Sequence, residues 1–128
     1  MSADKFTYVN IITRLGKPYE FTDIQDFQIN VKSKMLVVRQ PDGEFSFLLD
    51  NLRYGEVGLA PQDIQPNFQQ MEVVLVPLPG QQPETLRFRD IINYDWKADN
   101  GLLMVFGKTM SLVFHIDQVI SFQVLTYK

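Results

Sequence analysis

The phrase FTDIQDFQI, at residues Phe21 to Ile29, returns 67 positions later as FRDIINYDW, at Phe88 to Trp96. The match extends without a gap over residues 21–57 and contains eight identities. Average composition alone would give roughly two or three. Because a self-match at a fixed period is typical of a repeated structural unit, we predict an internal duplication.

The identities include two pairs of aspartates, which apolar alternation does not explain. Two β-segments share apolar positions by default, but matched Asp residues in one ungapped register are harder to obtain that way. The identical pairs are Phe21/Phe88, Asp23/Asp90, Ile24/Ile91, Leu36/Leu103, Val38/Val105, Phe47/Phe114, Asp50/Asp117 and Val57/Val124. Upstream, VNIITRLG at residues 9–16 aligns with VVLVPLPG at 73–80, which predicts three extra residues in the second copy before its Phe.

Hydrophobic periodicity predicts strands throughout. Residues 45–50 and 112–117 both alternate with a period of two, and no window of a dozen residues keeps the 3.6-residue apolar stripe of a helix. The best helical candidate, residues 61–70, is interrupted by Pro66. Turn residues at 40–43 (QPDG) and 99–101 (DNG) fit hairpins. The fold class is therefore predicted as all-β, with two tandem antiparallel β-meanders of about 55–60 residues each.

The meanders are expected to form one domain over residues 1–128. The first pseudo-repeat covers about residues 6–57, a Pro-containing linker covers 58–68, and the second pseudo-repeat covers about 69–128. One meander cannot bury its apolar face alone, so two should pack as a sandwich or a closed barrel with an approximate internal two-fold axis. The predicted core consists of Phe21, Ile24, Phe27, Phe45, Phe47, Leu49, Phe88, Ile91, Tyr94, Phe114 and Ile116.

Composition excludes several classes of function. The net charge is −3 and the densest basic cluster is Lys32 with Lys34, which disfavours nucleic-acid binding. The absence of cysteine excludes disulfides and thiol chemistry. The longest wholly apolar run, Leu102 to Phe106, is too short for a membrane span, and the first 17 residues lack the pattern of a signal peptide. We expect a soluble, cytoplasmic protein that binds neither nucleic acid nor membrane.

Three polar residues are weak candidates for a chemical site: His115, Asp117 and Asp50. His115 and Asp117 share one face of a strand, as a catalytic pair or two metal ligands would. A two-fold axis would bring Asp50 and Asp117 together as paired carboxylates. Structurally, each Asp would simply accept backbone N–H groups where a strand ends, and His115, whose counterpart is Leu48, would be a half-buried surface residue. Since no nucleophile elbow, phosphate loop or metal motif is present, the sequence predicts no catalytic residue, cofactor or metal.

The second copy is more apolar than the first, and this difference predicts an interface. Residues 102–106 are apolar on both faces of a strand, which requires a second layer. That layer is either the linker and N-terminal segment or another subunit. The candidate interface residues are Met104, Phe106, Val113, Ile120 and Phe122. We expect a homo-oligomer, with a dimer as the first expectation, or a complex with another protein.

These observations favour a non-enzymatic binding or assembly protein that acts through an apolar face of the second repeat. The alternative is a small β-barrel that holds a hydrophobic small molecule among its interior Phe, Tyr and Leu side chains. A third hypothesis is a hydrolase-type enzyme that uses His115 and Asp117.

Overall fold

A computed structural model describes residues 6–127, and this part of the chain is all-β. The strands are β1 (Phe6–Thr13), β2 (Pro18–Phe21), β3 (Asp26–Asn30), β4 (Met35–Gln40), β5 (Gly43–Leu48), β6 (Leu52–Leu59), β7 (Phe68–Leu75), β8 (Glu84–Lys97), β9 (Leu102–Gly107), β10 (Met110–His115) and β11 (Val119–Thr126). Three single-turn 3₁₀ helices are η1 (Leu49–Asn51), η2 (Ala98–Asn100) and η3 (Ile116–Gln118). Residues 1–5 and Lys128 lie outside the described residues. Residues 1–5 are the start of the segment whose sequence lacks a signal-peptide pattern.

The strands pair antiparallel in two sheets. The larger sheet has the order β11-β7-β8-β9-β10-β6-β1-β2, and the smaller has the order β3-β4-β5. Each order has two ends, so neither sheet closes on itself within residues 6–127. The closed-barrel alternative is therefore wrong, and the layers are sandwich-like. The smaller sheet covers one face of the larger sheet, since its apolar side chains share a core with those of β1 and β6.

The repeated F-x-D-I phrase marks a bend in both halves of the chain. Asp23 and Asp90 have φ angles of 55° and 56°, in the left-handed region, which Asp tolerates better than bulky residues do. In the first half the bend separates β2 from β3, which lie in different sheets. In the second half Asp90 lies within β8, next to a register irregularity between Ile91 and Asn93. One local conformation therefore ends a strand in one half and bends a continuous strand in the other.

The 67-residue spacing also relates four consecutive elements of the two halves. β4, β5, η1 and β6 begin at residues 35, 43, 49 and 52, and β9, β10, η3 and β11 begin at residues 102, 110, 116 and 119. Each pair of elements has the same length. Left-handed backbone also recurs at Lys34 and Gly101, with φ angles of 57° and 72°. The period found in the sequence is thus also the period of these strands.

The predicted alignment of the first strands needs a correction. Val9 lies opposite Phe21, and Met71 lies opposite Phe88, so Val9 and Met71 occupy equivalent positions. Phe21 follows Val9 by 12 positions and Phe88 follows Met71 by 17, which makes five extra residues rather than three. The alignment of 9–16 with 73–80 was wrong by two residues. A shift of two preserves the apolar alternation of a strand, so the pattern could not reveal the error.

Two hydrophobic cores lie on opposite faces of the central strands. The first core contains buried residues of β1, β4, β5 and β6, and the second contains buried residues of β7, β8, β9 and β10. Of the predicted core, Ile24, Phe47 and Leu49 are buried in the first core and Ile91 and Phe114 in the second. Phe21, Phe27, Phe45, Phe88 and Tyr94 pack at the margins of these cores. Ile116 is half-buried and belongs to neither.

Strand β9 is apolar on both faces because it serves both cores. Leu102 and Met104 face the first core, while Leu103 and Val105 face the second. Successive side chains of a strand point to opposite faces, so a strand between two layers needs apolar residues at every position. The second layer expected for this strand is therefore supplied by the first half of the same chain.

Candidate functional site

The three weak polar candidates meet where the two halves join. Asp50 lies in η1 after β5, Asp117 lies in η3 after β10, and His115 is the last residue of β10. His115 Nδ1 lies 2.8 Å from Asp117 Oδ1, and its Nε2 lies 3.8 Å from Asp50 Oδ1. The angle at Nδ1 does not satisfy hydrogen-bond geometry, so the closer contact is an ion pair when the imidazole is protonated.

Arg14, which the sequence did not single out, completes this group. It lies in the turn between β1 and β2, 103 residues from Asp117 in sequence. One guanidinium nitrogen, Nη2, donates to both carboxylate oxygens of Asp117, at 2.9 and 2.7 Å, and Nε donates to the backbone carbonyl oxygen of Asp50. We name Arg14, Asp50, His115 and Asp117 the junction cluster. No local pattern marks an arginine whose partner lies so far along the chain.

The junction cluster is mostly solvated. The side chains of Arg14 and Asp117 are 30% and 52% exposed, and that of His115 is 17% exposed. Ion pairs at this degree of exposure typically contribute about 0–1 kcal/mol each. The predicted pairing of Asp50 with Asp117 is indirect, because Arg14 bonds the carboxylate of Asp117 but the backbone of Asp50. The arrangement fits an electrostatic link between two chain segments.

A shallow pocket of about 290 Å³ adjoins the junction cluster. It lies between the turn that follows β3 and the turn that follows β8, and the described residues lining it are Val31, Lys34, Leu49, Asp50, Ala98, Asp99, Asn100, Gly101 and His115. Their functional groups are carboxylates, an amide, an amine and an imidazole. These groups can exchange protons or bind a small polar molecule, and no observation on the described residues favours a hydrolytic reaction over a structural role.

A second arginine, Arg53, is buried at the same junction. It lies in β6 with 1% of its surface exposed. Its two terminal nitrogens donate to Gln118 Oε1 and Glu84 Oε1, each at 3.1 Å, while its Nε has no hydrogen-bond partner among the described residues. Both acceptors belong to the second half of the chain. Together, Arg14 and Arg53 hold η3 and its neighbours against the first half.

The two bend aspartates lie outside the junction cluster. Asp90 accepts a hydrogen bond of 2.6 Å from the hydroxyl of Tyr127, and this bond raises the pKa of Tyr127. Asp23 lines a different surface cavity, of about 460 Å³, with Phe6, Gln25 and neighbouring residues. Both residues hold left-handed backbone at a bend, and the side-chain hydrogen bond of Asp90 is made with the hydroxyl of Tyr127.

A polar pair stabilises the contact between β1 and β6. The hydroxyl of Tyr8 donates to Glu56 Oε2. Burial, together with this hydrogen bond and the charge of Glu56, raises the pKa of Tyr8 to about 12. The Tyr8 ring lies over Gly58, where an added Cβ atom would collide with it. Burial likewise raises the pKa of Tyr54, in the same strand as Glu56.

The five interface candidates do not form one free surface. Val113 is 2% exposed and packs in the first core, and Met104 packs against that core. Phe106 and Ile120 are exposed, at 38% and 55%. Phe122 is half-buried and stacks on Trp96, with ring centroids 5.7 Å apart. Only Phe106, Ile120 and part of Phe122 are therefore available to a partner.

An apolar surface groove of about 590 Å³ lies beside Phe106. It is bordered by the end of β6, the linker and β8 to β10, and it is lined by Phe6, Leu59, Ala60, Pro61, Gln62, Ile64, Ile92, Phe106 and Ser111. The groove is open to solvent and is not the interior of a barrel. The barrel-enclosed ligand site that was the alternative prediction therefore has no counterpart in the sheets described here.

Strand β11 is an exposed apolar edge of the larger sheet. It lies at one end of the larger sheet and pairs on one side only, with β7. Its sequence, VISFQVLT, contains no charged residue and no proline. Ile120 and Leu125 are 55% and 44% exposed, and Tyr127 just beyond the strand is 43% exposed. An edge strand without charge or proline offers unpaired backbone groups and apolar side chains to another strand.

Neither a metal site nor a membrane-spanning helix is found among residues 6–127, and no known protein matches the chain. Within residues 6–127, no group of three or more His, Asp or Glu side chains is arranged to hold a metal ion. None of the helices in this part of the chain has the length and apolarity needed to cross a membrane. Comparisons with protein-family models, curated proteins and solved structures find no match.

Proposed function

We propose that the chain is a non-enzymatic assembly protein, built from two copies of one β-unit, that binds a further copy of itself through β11. The copies are the two pseudo-repeats at about residues 6–57 and 69–128, joined by the linker at 58–68. The role of the second repeat is to present an apolar strand edge, and the role of the first is to cover the inner face of the second.

Recurring backbone hydrogen bonds support the duplication. Leu49 N donates to Lys34 O at 2.9 Å, and 67 residues later Ile116 N donates to Gly101 O at 2.9 Å. A second pair also recurs across the halves: Arg14 N to Asn51 O at 3.0 Å, and Val76 N to Gln118 O at 2.8 Å. Strand length can recur in any β-protein, but a recurring turn bond on a left-handed residue is harder to obtain without a common origin.

The main support for self-assembly is the composition of β11. Natural edge strands are usually protected by charges, prolines, bulges or short length. β11 has eight residues with neither charge nor proline, and its register irregularities lie near its two ends, between Val119 and Ser121 and between Leu125 and Thr126. It exposes Ile120 and Leu125. Behind it, Phe122 stacks on Trp96 and packs edge-on against Tyr94, at 5.7 and 5.4 Å between centroids. The apolar edge of β11, held in place by these ring contacts, is better suited to pairing with another strand than to exposure to water.

The proposal is tested by measuring the mass in solution. We expect the wild-type chain to scatter light with a mass of at least twice 14.9 kDa. Ile120→Asp places a charge on the proposed edge and should give a folded monomer. Ile64→Asp is the matched control, because Ile64 is similarly exposed, at 48%, but lies in the linker. It should keep the wild-type mass.

Two outcomes would overturn the proposal. A wild-type mass of 14.9 kDa at every concentration up to the solubility limit would exclude self-assembly. An Ile120→Asp variant that keeps the full assembly while Ile64→Asp disrupts it would move the interface to the linker. Circular dichroism of both variants establishes that each is folded.

A further inference from the structure

The two halves of the chain already contain one strand-to-strand junction, between β6 of the first half and β10 of the second. The paired residues are Met110↔Gly58, Ser111↔Val57, Leu112↔Glu56, Val113↔Gly55 and Phe114↔Tyr54. Both strands are largely buried there. This junction shows which edges of the repeated unit fit each other.

Adding 67 to the residue numbers of β6 gives β11, and subtracting 67 from those of β10 gives β5. β11 is one end of the larger sheet, and β5 is one end of the smaller sheet. No other described strand pairs with the outer edge of either. We infer that β11 of one chain pairs with the outer edge of β5 in a second copy, in the register of the β6–β10 pair. The inference rests on the proposed duplication and self-assembly, and it identifies the partner surface.

Transferring the register by 67 residues pairs Gly43↔Leu125, Glu44↔Val124, Phe45↔Gln123, Ser46↔Phe122 and Phe47↔Ser121 between chains. In the observed junction, Gly58 lies opposite the large Met110, and in the inferred one Gly43 lies opposite the large Leu125. Size is exchanged between the strands at this position, so it combines one small and one large residue in both junctions.

A second position repeats this exchange. Gly55 lies opposite Val113, and an added Cβ atom on Gly55 would come within 3.3 Å of a Val113 methyl group. At the equivalent position of the inferred junction, Ser46 lies opposite Phe122. Two independent positions with reversed but complementary sizes are expected if both junctions have the same backbone geometry.

The other free edges are poorer partners for β11. β2 has four residues and begins with Pro18, which has no N–H to donate. β3 begins with Asp26, which lies 3.8 Å from the charged Arg39 of β4. β5 has one charge, Glu44, near its start, and it exposes 53% of Leu48 at its end. Residue composition thus disfavours β2. β3 and β5 each carry one charge, and the 67-residue equivalence of β5 with β10 selects β5.

The inferred junction joins two different surfaces, so it is a head-to-tail contact. Such contacts form closed rings when the rotation closes, and a ring of two chains with two β11–β5 junctions is the smallest case. In a closed ring, no chain keeps an unpaired β11 or β5. The expected dimer is therefore one member of a series of closed rings.

Disulfide trapping tests the register directly, because the natural chain has no cysteine. Glu44→Cys and Val124→Cys chains, mixed and oxidised, should form a cross-linked pair, since directly opposite residues lie within roughly 4.5–5.5 Å, a distance that suits a disulfide. Glu44→Cys mixed with Ile120→Cys is the control. The four-residue displacement moves the sulfur atoms about 13 Å apart along the strand, so no mixed cross-link should form.

Exchanging the small and the large residue of the inferred Gly43–Leu125 pair gives a second, independent test. Gly43 has no atom within 4 Å of an added Cβ atom and no left-handed φ, so Gly43→Leu should fold normally. In the inferred register it places leucine against Leu125 and should weaken self-association by on the order of tenfold or more. Gly43→Leu combined with Leu125→Gly should recover the wild-type association.

The outcomes separate this inference from the proposed function. If the wild-type chain assembles, two negative results together overturn the β11–β5 junction. These are the absence of a cross-link between Glu44→Cys and Val124→Cys chains, and the failure of Leu125→Gly to restore the association lost by Gly43→Leu. Assembly through β11 would still stand. If the wild-type chain is a monomer, both fail. If a chain carrying both cysteines cross-links only within itself, the two edges pair intramolecularly and the inference is again overturned.

Discussion

Strands β6 and β11 have the same length and follow the same kind of single-turn helix, yet one is central and the other is an edge. The central strand carries Arg53 and Glu56, and the edge strand carries no charge. Single proteins usually show the opposite, with charges on edges and apolar residues inside. The charges of β6 are paired with other parts of the chain, Arg53 with Glu84 and Glu56 with Tyr8, whereas the uncharged edge of β11 is the feature on which the proposed self-assembly depends.

The same contrast holds for their partners, β10 and β5. At equivalent positions, Val113 is 2% exposed and Ser46 is exposed. The residue types follow the neighbours: β10 lies between two strands, and β5 has a neighbour on one side only.

The largest effect is expected at position Val113. Val113→Asp would bury an unpaired carboxylate in the first core, and it should lower the free energy of unfolding by about 4 kcal/mol or more. Ser46→Asp is the matched control at the equivalent position of β5, where the new charge faces water. It should change that free energy by no more than about 0.5 kcal/mol while weakening self-association. Urea denaturation and light scattering measure the two quantities, and similar destabilisation by both variants would contradict the comparison.

A smaller effect is expected at high pH, from the Tyr8 and Glu56 pair that stabilises β6 but has no counterpart on β11. The folded state raises the pKa of Tyr8 from 10.0 to about 12 by burial and by the hydrogen bond to Glu56. Folding therefore favours the neutral phenol, and this contribution is complete below pH 10 and is lost as the pH rises through 12. After allowance for the partial exposure of the ring, it amounts to about 1 kcal/mol.

The measurement is the free energy of unfolding between pH 9 and pH 12 for the wild type and Tyr8→Phe. The difference between the two chains should narrow as the pH rises, because the variant lacks the titrating hydroxyl but keeps the ring. A constant difference across this range would show that the hydroxyl does not carry the effect.

The smallest effect is expected in the junction cluster. Asp117→Asn removes the charge that Arg14 contacts through two hydrogen bonds, and it should cost up to about 1 kcal/mol at low salt. Asp50→Asn should cost less, because Arg14 bonds the backbone carbonyl oxygen of Asp50. Salt should reduce the first effect, as solvated ion pairs are screened. An Asp50→Asn variant that is the less stable of the two would contradict this assignment.

Much of the fold could be predicted because its signals are local. Alternating apolar residues predicted all-β structure, and the phrase F-x-D-I, which the sequence showed to be repeated, lies at two bends where Asp23 and Asp90 take up the left-handed backbone. The alignment of the first strands was wrong by two residues, since alternation does not distinguish registers that differ by two. The closed barrel was wrong for a related reason, because alternation indicates which residues face inward but does not indicate whether the last strand meets the first.

The site was predicted in part. His115, Asp117 and Asp50 were selected because they stand at repeated or singular positions, and the fold brings them together. Arg14 and Arg53 were missed, because their partners lie across the junction between the halves, far away in sequence. Met104 and Val113 were selected for an interface on the basis of two-sided apolarity, and that apolarity arises from the two cores on either side of β9 and β10.

The sequence by itself determined where strands run, where they bend and which segments recur, because alternation, turn residues and self-similarity depend on residues close together in the chain. Only the tertiary structure decided that β6 meets β10 while β11 and β5 keep free edges. All four strands have apolar alternation suited to a sheet, and their pairing is settled by the packing of whole layers, a long-range property that no single segment encodes.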